Sequence, residues 1–302
     1  MTWVTLNLRV ELRNMSKIQD TVQNTISTSK IETAVKPFLR WAGGKQWFVK
    51  KVLELTEDIE YNNYYEPFLG GGSVFFALKP NVAFLSDLNS ELIKTYETIK
   101  SSPHEVINRL KFYSNTEKSY YRARKTQPRS DVYKAARFIY LNGTSYNGIY
   151  RVNKDGVYNV PYGYRKNYNV DETNLLHASA ALKNATLSQG DFMHMKNKIV
   201  KNDLIFLDPP YTVSHNDNGF IAYNQKLFSL DDQKRLAKFI EFIDSKGAYY
   251  ILTNAAHEEI GRIFDKCDQP VMLERASTIG GSNAKRGKVT EYIFTNIDED
   301  LK

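Results

Sequence analysis

The chain has 302 residues, of which 42% are hydrophobic, a balance typical of a globular protein with a sizeable core. No stretch approaches the roughly 18 consecutive apolar residues of a transmembrane helix, and charges interrupt the N-terminal stretch where a signal peptide would be apolar, so we expect no membrane association. The single Cys267 excludes an internal disulfide framework and predicts a cytoplasmic protein.

The net charge of +7 is concentrated in one stretch of the chain. Residues 111–170 contain 12 Lys and Arg against 3 Asp and Glu, a local charge of +9, together with 11 of the 20 tyrosines. Basic side chains interleaved with aromatic residues are typical of a surface that binds nucleic acid. A solvated basic face around a tyrosine-rich core is the alternative, and the sequence leaves both open.

Residues 1–35 are polar and weakly patterned, so we expect a flexible N-terminal arm. Further on, YYEPFLGGGSVFFAL (64–78) predicts a short strand, a glycine turn and a helix, and VAFLSDLNSELIKTYETI (82–99) predicts a strand ending at Asp87 and a second helix. DLIFLDPPY (203–211), AYYILTN (248–254) and VTEYIFTN (289–296) predict three more strands. Between them, a helix is predicted with its cap at Ser229, its end at Gly247 and an apolar face made of Leu236, Phe239, Ile240 and Ile243.

Alternating strands and helices predict an α/β fold with a mostly parallel sheet, interrupted between about residues 110 and 185 by the basic stretch. We therefore expect three parts: the arm at 1–35, a sheet domain made of 36–110 and 186–302, and a smaller inserted domain at 111–185. The inserted domain is predicted to be mainly helical with a β-hairpin. In this hairpin KDG (154–156) is the turn between NGIYRV (147–152) and VYNV (157–160).

Ligands of open α/β sheets bind beyond the carboxyl ends of the strands, which here carry the loop 66–72, Asp87 and the corner 208–211. The glycine turn does not match a dinucleotide fingerprint, because Phe75 occupies the position of the third glycine. Asp87 ends the next strand, where a carboxylate accepts hydrogen bonds from ribose hydroxyls. A nucleoside without phosphates, such as S-adenosylmethionine, fits these features, although a tight turn and an aspartate that caps a helix would explain them equally well.

The tetrapeptide Asp208, Pro209, Pro210 and Tyr211 directly follows an apolar strand. An adenine amine is a poor nucleophile since its lone pair is delocalised into the ring, so methylating it requires acceptors for both amine hydrogens. Asp208 and the Pro209 carbonyl provide such acceptors, the two prolines hold them rigidly, and the tyrosine can stack on the base. A base within a duplex must be flipped out to reach this pocket. A proline terminator with an incidental acid is the less favoured alternative.

Together these motifs resemble the Dam-type family of DNA N6-adenine methyltransferases. The resemblance rests on KPFLRWAGGKQW (36–47), YYEPFLGGGSVFF (64–76), LSDLN (85–89), GDF (190–192) and LIFLDPPY (204–211), which occur in the order found in the family. YLNGTSYNGIYRVNKDGVYNVPYG (140–163) is similar to the family's target-recognition region. The resemblance implies a Rossmann-like methyltransferase sheet, S-adenosylmethionine as cofactor, double-stranded DNA as partner and, by likeness alone, GATC as the target site.

The resemblance also implies a cofactor site built from these motifs. Lys45 would meet the methionine carboxylate, Asp87 the ribose, and Trp41 would pack beside the sulfonium group. Asp191 and Phe192 would meet the edge and the face of the cofactor adenine. The complete implied set is Trp41, Lys45, Glu66, Pro67, Phe68, Gly70, Gly72, Ser73, Asp87, Asp191, Phe192 and Asp208.

Recognition of DNA is expected from the basic stretch. Its arginines are candidates for phosphate or guanine contacts, and a β-ribbon fits the major groove, where its polar and aromatic side chains can read or wedge bases. The candidate DNA-binding residues are Arg122, Arg124, Arg137, Asn142, Tyr146, Asn147, Tyr150 and Arg151, with Arg129 as a further arginine.

Other candidate sites are not favoured. The five histidines are scattered without a pair at metal-ligand spacing, so no metal site is expected. GGSNAKRGK (280–288) lacks the strand-turn-helix context of a phosphate-binding loop and is predicted to be a solvated basic loop. The sequence thus predicts a DNA adenine methyltransferase, with an RNA methyltransferase and a DNA-binding module without catalysis as rivals.

Overall fold

Parallel strands form the centre of the fold. The computed structural model describes residues 35–212, 228–267, 270–276 and 288–297, so all but the last residue of the predicted arm and most of the 280–288 loop lie outside the described residues. The strands are β1 (Tyr64–Glu66), β2 (Ala83–Asp87), β3 (Ala185–Gln189), β4 (Leu204–Leu207), β5 (Tyr249–Ala255), β6 (Val271–Ala276) and β7 (Lys288–Thr295). They form one sheet in the order β3-β2-β1-β4-β5-β7-β6.

The first five strands run parallel to one another. β1 pairs with β2 and β4, β2 with β3, and β4 with β5, whereas β7 runs antiparallel to both β5 and β6. This confirms the predicted mostly parallel α/β sheet. The chain builds the sheet outward from β1 to β3 in one direction and from β4 to β5 in the other, and β7 then lies between β5 and β6. Ligands of open sheets bind in the crevice beyond the carboxyl ends at such a reversal.

The described ranges contain nine α-helices. They are α1 (Val49–Thr56), α2 (Ser73–Leu78), α3 (Ser90–Ser101), α4 (Pro103–Leu110), α5 (Glu117–Lys125), α6 (Asp131–Thr144), α7 (Glu172–Ala181), α8 (Leu230–Ser245) and α9 (Glu258–Ile263). Two short 3-10 helices cover Tyr146–Gly148 and Phe192–Lys198. Among these described residues, no helix is long and apolar enough to cross a membrane.

Each face of the sheet has its own hydrophobic core. Strand β4 shows this directly, because Leu204 and Phe206 belong to one buried cluster whereas Ile205 and Leu207 belong to the other. None of these four residues is more than 2% exposed, as expected for a central strand that is covered on both faces. The corner after Leu207 therefore starts from a strand that is fixed on both sides.

Helix α8 packs its apolar face into the second of these cores. The face consists of the predicted residues Leu236, Phe239, Ile240 and Ile243. Ser229 Oγ accepts from Asp232 N at 3.2 Å, and the Asp232 carboxylate accepts from Ser229 N at 2.9 Å, which forms a capping box. Gly247 follows the helix with a φ of 66°, so both the predicted start and the predicted end are confirmed.

The predicted inserted segment 111–185 contributes the helices α5, α6 and α7. Helix α6 packs against α3 and α4 as well as against α5. All described residues belong to one compact unit, which begins at Val35. The separation of 111–185 as a domain of its own therefore stays a prediction.

The predicted hairpin is present in reduced form. Val152 and Tyr158 form an isolated antiparallel bridge, and Gly156 N donates to Asn153 O at 3.1 Å within the predicted turn. Single bridges replace the two predicted strands. The reason is local, because the 3-10 turn at Tyr146–Gly148 begins the segment in a non-extended conformation.

Candidate active site

Asp208 follows the carboxyl end of β4 and is bonded to two neighbours. The Lys45 ammonium lies 2.7 Å from Asp208 Oδ1, and the Thr253 hydroxyl of β5 donates to the same oxygen at 2.7 Å. The Lys45 side chain is only 4% exposed and also donates to the Gly43 carbonyl at 3.0 Å. These bonds hold one geometry for an ion pair whose ammonium is buried and whose carboxylate is half-buried, with 18% of the Asp208 side chain exposed, and a largely desolvated pair requires such bonds to be stable.

A second buried carboxylate, Glu291 of β7, holds the ring of Tyr211. The Tyr211 hydroxyl donates to Glu291 Oε2, and Arg275 Nε of β6 donates to Oε1. The Lys45 ammonium lies 3.8 Å from Glu291 Oε2 and 4.9 Å from the centroid of the Tyr211 ring. We call Lys45, Asp208, Tyr211, Arg275 and Glu291 the charge network.

Burial governs protonation in the charge network. Burial raises the pKa of Asp208 above its ordinary value against the opposing effects of Lys45 and Thr253, and the charge of Glu291 adds to the rise. Burial first, and then the charges of Asp208 and Glu291, raise the pKa of Tyr211 well above its ordinary value. The phenol therefore stays protonated at neutral pH and donates to Glu291.

The glycine turn approaches its neighbours too closely for side chains. Gly70 has a φ of 47°, and a Cβ built there would lie 2.6 Å from Trp41 Cδ1. Gly72 has a φ of 66°, and a Cβ there would lie 3.1 Å from the Tyr96 hydroxyl. Both backbone conformation and packing therefore favour glycine at these positions, and bare backbone can approach a ligand closely.

Trp41 joins the glycine turn to the basic stretch. Its indole stacks on the rings of Tyr150 and Phe138, with centroid separations of 5.5 and 6.4 Å. Both rings come from the basic stretch, so the turn and that stretch are held in a fixed relation. The contact of Trp41 with a sulfonium group stays a prediction.

Asp87 ends β2 and binds two backbone amides. Gly70 N donates to its Oδ2 at 3.0 Å, and Asn89 N donates to its Oδ1 at 2.9 Å. The cap of α3 is Asn89, whose side chain accepts from Leu92 N at 3.0 Å, so the alternative interpretation of Asp87 as the helix cap is wrong. A carboxylate has about four lone pairs, and two amides leave capacity for ribose hydroxyls.

Glu66 ends β1 and is 3% exposed. Its Oε2 accepts from the Tyr64 hydroxyl at 2.8 Å and from Phe75 N at 3.2 Å, which fixes the first turn of α2. Burial raises the pKa of Glu66 to about 8, with additional effects of the charges on Asp208 and Asp87, although both hydrogen bonds oppose the rise. Burial therefore favours the protonated form of Glu66 at neutral pH.

Asp191 and Phe192 follow β3. Asp191 Oδ1 accepts from Met193 N at 3.0 Å and lies 2.9 Å from Arg235 Nη2 of α8. Phe192 is 2% exposed, and its ring centroid lies 5.5 Å from that of the half-buried Phe68. Phe68 is therefore more accessible than Phe192 for contact with a cofactor ring.

The structure brings the predicted acids to one edge of the sheet. Glu66 and Asp87 end neighbouring strands, Asp208 directly follows the strand on the other side of β1, and Asp191 follows β3. The predicted loop residues Pro67 and Ser73 are buried beside them. In the ranges that the structure describes, no group of three or more His, Cys, Asp and Glu is placed to hold a metal ion.

Arg137 lies inside the basic stretch rather than on its surface. It is 11% exposed, and its guanidinium donates to the carbonyls of Ala123 and Arg124 at 2.8 and 2.9 Å and lies 3.5 Å from Glu91. It thus satisfies carbonyls at the C-terminal end of α5. This geometry favours a structural role over the predicted DNA contact. The half-buried Arg124 likewise donates to the Val160 carbonyl at 3.0 Å.

Asn142 and Tyr150 are also held by internal contacts. Asn142 is 2% exposed; its amide accepts from Arg40 N at 2.8 Å and donates to Arg40 O at 2.8 Å and to Gly148 O at 3.1 Å. The Tyr150 hydroxyl donates to Glu91 at 3.1 Å, and its ring packs on the indole described above. For both residues the geometry favours a structural role over the predicted base contacts.

The other predicted DNA-binding residues lie on the surface. They are the exposed residues Arg122, Arg129, Tyr146, Asn147 and Arg151. Tyr146 is 46% exposed and begins the 3-10 turn. Asn142 bonds both Gly148 of this turn and Arg40, which directly precedes Trp41. The exposed part of the basic stretch therefore includes a turn that is anchored next to the glycine turn.

Sequence analysis missed the contribution of the antiparallel strands. Glu291 occupies a core-facing position of β7, two residues before the buried Ile293. An acid inside an apolar strand is a signal of a buried polar site, and VTEYIFTN contains that signal. Arg275 offers no comparable signal, because its role depends on how β6 pairs with β7.

A buried polar chain holds the residue after Tyr211. Asn254 Nδ2 donates to Gln233 Oε1 at 2.9 Å, and Gln233 Nε2 donates to Thr212 Oγ1 at 3.0 Å. The Thr212 hydroxyl in turn donates to the Phe228 carbonyl at 3.0 Å. The end of β5 and helix α8 therefore support the corner that follows β4.

Changing Glu66 to Gln should flatten the loss of stability with rising pH. The folded-state pKa of Glu66, about 8, lies above the ordinary Glu value. The contribution of Glu66 to the free energy of unfolding is therefore complete below the ordinary pKa and is lost as the pH rises through about 8. Each pKa unit corresponds to about 1.4 kcal/mol. Urea midpoints at about pH 5 and about pH 8.5 should therefore differ less in Glu66→Gln than in wild type.

The exposed Glu57→Gln is the matched control and should keep the wild-type dependence on pH. The comparison between variants isolates Glu66 from the other acids of the sheet edge, whose raised pKa values act in the same direction. Equal pH dependence in wild type and Glu66→Gln would show that Glu66 is ionised in the folded protein.

Comparison with known proteins assigns the family. Residues 41–278 match the model of the D12 class N6 adenine-specific DNA methyltransferases. A protein named Type II methyltransferase M1.LlaDCHI, from Lactococcus lactis subsp. cremoris, is 34% identical over 287 residues, which cover 90% of this chain and 99% of that protein. Type II methyltransferase M.MjaIII from Methanocaldococcus jannaschii is 35% identical over 287 residues, with coverages of 87% and 99%.

A DNA adenine methylase from Vibrio cholerae is 30% identical over 271 residues, which cover 85% of this chain and 95% of that protein. These matches confirm the resemblance that the motifs indicated. The chain belongs to the D12 class of N6 adenine-specific DNA methyltransferases.

Proposed function

We propose that this adenine-specific DNA methyltransferase transfers a methyl group from S-adenosylmethionine to the N6 amine of an adenine flipped out of double-stranded DNA. The observation that carries the proposal is the position of the Asp208 carboxylate. Lys45 and Thr253 both bond its Oδ1 at the end of the central strand. Oδ2 has lone pairs of its own with which to accept from the target amine.

The target amine needs acceptors because its lone pair is delocalised into the adenine ring. Asp208 would accept one amine hydrogen and the Pro209 carbonyl the other, which favours a pyramidal nitrogen. The two consecutive prolines fix the backbone, so these acceptors are in place before the base arrives. As the nitrogen forms its new bond its proton becomes acidic. In this proposal Asp208, whose pKa burial raises, would receive that proton.

A flipped adenine also needs a surface on which to stack. The Tyr211 hydroxyl donates to Glu291, which holds the ring. The two preceding prolines restrict the backbone of the tyrosine. Stacking on a fixed aromatic ring is worth about 1–3 kcal/mol for a base, which offsets part of the cost of removing it from the duplex.

The sheet edge fits S-adenosylmethionine. The bare backbone of the glycine turn allows the close approach of a nucleoside without phosphates. Asp87 would accept from the ribose hydroxyls, Asp191 would accept from the cofactor adenine amine, and Phe68 would cover its ring. Lys45 donates to Asp208 and to the Gly43 carbonyl, and its third N–H would meet the methionine carboxylate. When bound, the cofactor supplies an electrophilic methyl group on its sulfonium.

The basic stretch is the proposed recognition surface for DNA. Its exposed arginines would contact phosphates or guanines, and the turn with Tyr146 and Asn147 would contact bases. The stacking of Trp41 on Tyr150 supports this assignment, because it fixes the stretch beside the glycine turn. Family resemblance makes GATC the first recognition sequence to test.

Changing Asp208 to Asn should remove methyl transfer while duplex binding persists. The amide keeps the shape of the carboxylate but has one acceptor oxygen, to which Lys45 and Thr253 already donate. Turnover should therefore fall by about 100-fold or more, as for the loss of other preorganised transition-state partners. Transfer of tritiated methyl groups to duplex DNA measures this, with Asp231→Asn on the exposed face of α8 as the matched control.

Retained turnover in Asp208→Asn would contradict the proposed mechanism. Nucleoside analysis should find N6-methyladenine in duplex DNA and none in a matched RNA duplex, and methylation of the RNA alone would make RNA the substrate. Sequencing that maps methylated adenines in DNA from expressing cells identifies the recognition sequence. Methylation confined to a different sequence would overturn GATC.

Changing Asp87 to Asn should weaken the binding of S-adenosylmethionine. A ribose hydroxyl left without its charged acceptor should raise the Kd about tenfold to 100-fold, for about 1.5–3 kcal/mol. Asn89→Ala is the matched control, because it removes the cap of α3 and costs about 1 kcal/mol of stability without changing the carboxylate. Calorimetry measures the affinity of both variants. Unchanged affinity in Asp87→Asn would remove Asp87 from the cofactor site.

Exposed and buried arginines of the basic stretch should behave differently. Changing the exposed Arg122 and Arg151 to Ala should weaken DNA binding and lower the log–log salt slope by about one unit for each lost phosphate contact, without lowering Tm. Arg137→Met should instead lower Tm, because it leaves helix carbonyls and Glu91 without their partner. Fluorescence anisotropy across a salt series and thermal unfolding separate the two effects. If the double variant kept the wild-type salt slope, Arg122 and Arg151 would not contact phosphates, and the exposed surface would be only a solvated face.

A further inference from the structure

Strand β7 carries a carboxylate inside the sheet. Glu291 is fully buried, and its register places it opposite Ala255 of β5 and Leu273 of β6. Burying a carboxylate is unfavourable unless charge and hydrogen bonds compensate it. The groups that bond the buried Glu291 carboxylate therefore indicate the role of this residue.

Both oxygens of Glu291 are bonded to side chains of known position. Arg275 Nε of β6 donates to Oε1, and the Tyr211 hydroxyl donates to Oε2. The Arg275 guanidinium also lies over the ring of Trp47, 5.7 Å from its centroid. Glu291 thus connects the antiparallel strands to the segment 45–47 and to the corner after β4, which are far apart in the chain.

The bond to Tyr211 fixes the orientation of the ring. Pro209 and Pro210 restrict the backbone before the tyrosine, but they leave its two side-chain torsions open. An acceptor at the far end of the phenol removes that freedom, so the ring plane is set before a base arrives. A preorganised ring does not have to be ordered at the moment of binding.

Arg275 also affects where Lys45 lies. The Lys45 ammonium is 2.7 Å from Asp208 and 3.8 Å from Glu291, so it is nearer to Asp208. Because Arg275 balances the charge of Glu291, it reduces the attraction of Glu291 for Lys45. The pair Arg275 and Glu291 therefore supports the geometry of both Asp208 and Tyr211.

We propose that Glu291 is a positioning residue for adenine methylation, which orients the Tyr211 ring through its hydroxyl and is held in place by Arg275. This inference rests on the proposed function. It assigns to the antiparallel strands β6 and β7 a part in presenting the target base. A purely structural role for Glu291 is the alternative.

The test compares Glu291→Gln, Tyr211→Phe and the double variant. Glutamine has one acceptor oxygen and cannot accept from Tyr211 and Arg275 as the carboxylate does, whereas phenylalanine keeps the ring and loses the hydroxyl. The measurements are kcat and KM for duplex DNA, the fluorescence of a duplex with 2-aminopurine at the target adenine, and Tm. Glu274→Gln on the exposed side of β6 is the matched control.

We expect kcat to fall about tenfold to 100-fold in Glu291→Gln, for about 1.4–2.7 kcal/mol, with a smaller rise of 2-aminopurine fluorescence on binding. The Kd of S-adenosylmethionine should change by less than about twofold. If Glu291 acts through the hydroxyl, the double variant should be no slower than the slower single variant. Glu274→Gln should match wild type.

Three results would overturn the inference. One is a kcat of Glu291→Gln equal to that of wild type, measured well below the Tm of the variant. A purely structural role for Glu291 would lower Tm and leave kcat unchanged. The second is an unchanged 2-aminopurine signal together with lowered kcat. The third is a double variant in which the two effects multiply. A wild-type protein that transfers no methyl group to adenine in DNA would instead overturn the proposed function, and the inference with it.

Discussion

The largely buried ion pair of Lys45 and Asp208 is the interaction on which the rest of the site depends. Two charges withdrawn from water are stable only where additional hydrogen bonds satisfy their remaining atoms, and here the Gly43 carbonyl and the Thr253 hydroxyl do so. The pair therefore locks the segment around residue 45, the corner after β4 and strand β5 into one arrangement. Moving any one of them would leave a buried charge uncompensated.

The sheet order explains why distant residues meet around this pair. β1 and β4 are neighbours although their first residues, Tyr64 and Leu204, are 140 positions apart in the chain, so the acids at the carboxyl ends of β1, β2 and β4 converge on one edge. Protonation of Glu66 reduces the negative charge of that edge, and the raised pKa of Glu66 follows in part from the charges on Asp208 and Asp87. The edge can thus gather several acids while Asp208 keeps its bond to a single cation.

Features with local causes could be predicted from the sequence. The cap at Ser229, the helix end at Gly247 and the strand that stops at Asp208 all depend on neighbours within a few residues, and the structure contains them. The predicted hairpin strands are longer than the observed pairing, because Asn147 adopts a φ of 54°. The alternation of side chains in the sequence does not reveal this conformation.

Roles that depend on tertiary neighbours could not be predicted in the same way. Arg137 and Asn142 have the residue types of DNA contacts, yet one satisfies the end of α5 and the other bonds the backbone of Arg40. Their burial depends on how α6 packs, which residue type does not encode. Glu291 enters the site only through antiparallel pairing at the end of the chain, whose partners the sequence pattern leaves open.

The most direct test of this mechanism is a crystal structure of the protein with duplex DNA and a cofactor analogue that lacks a transferable methyl group. We predict that a flipped adenine donates its amine hydrogens to Asp208 and the Pro209 carbonyl, with its ring on Tyr211 and the bond from Tyr211 to Glu291 retained. A target adenine bound away from Asp208, or one whose amine donates to no acceptor of the corner after β4, would contradict the mechanism.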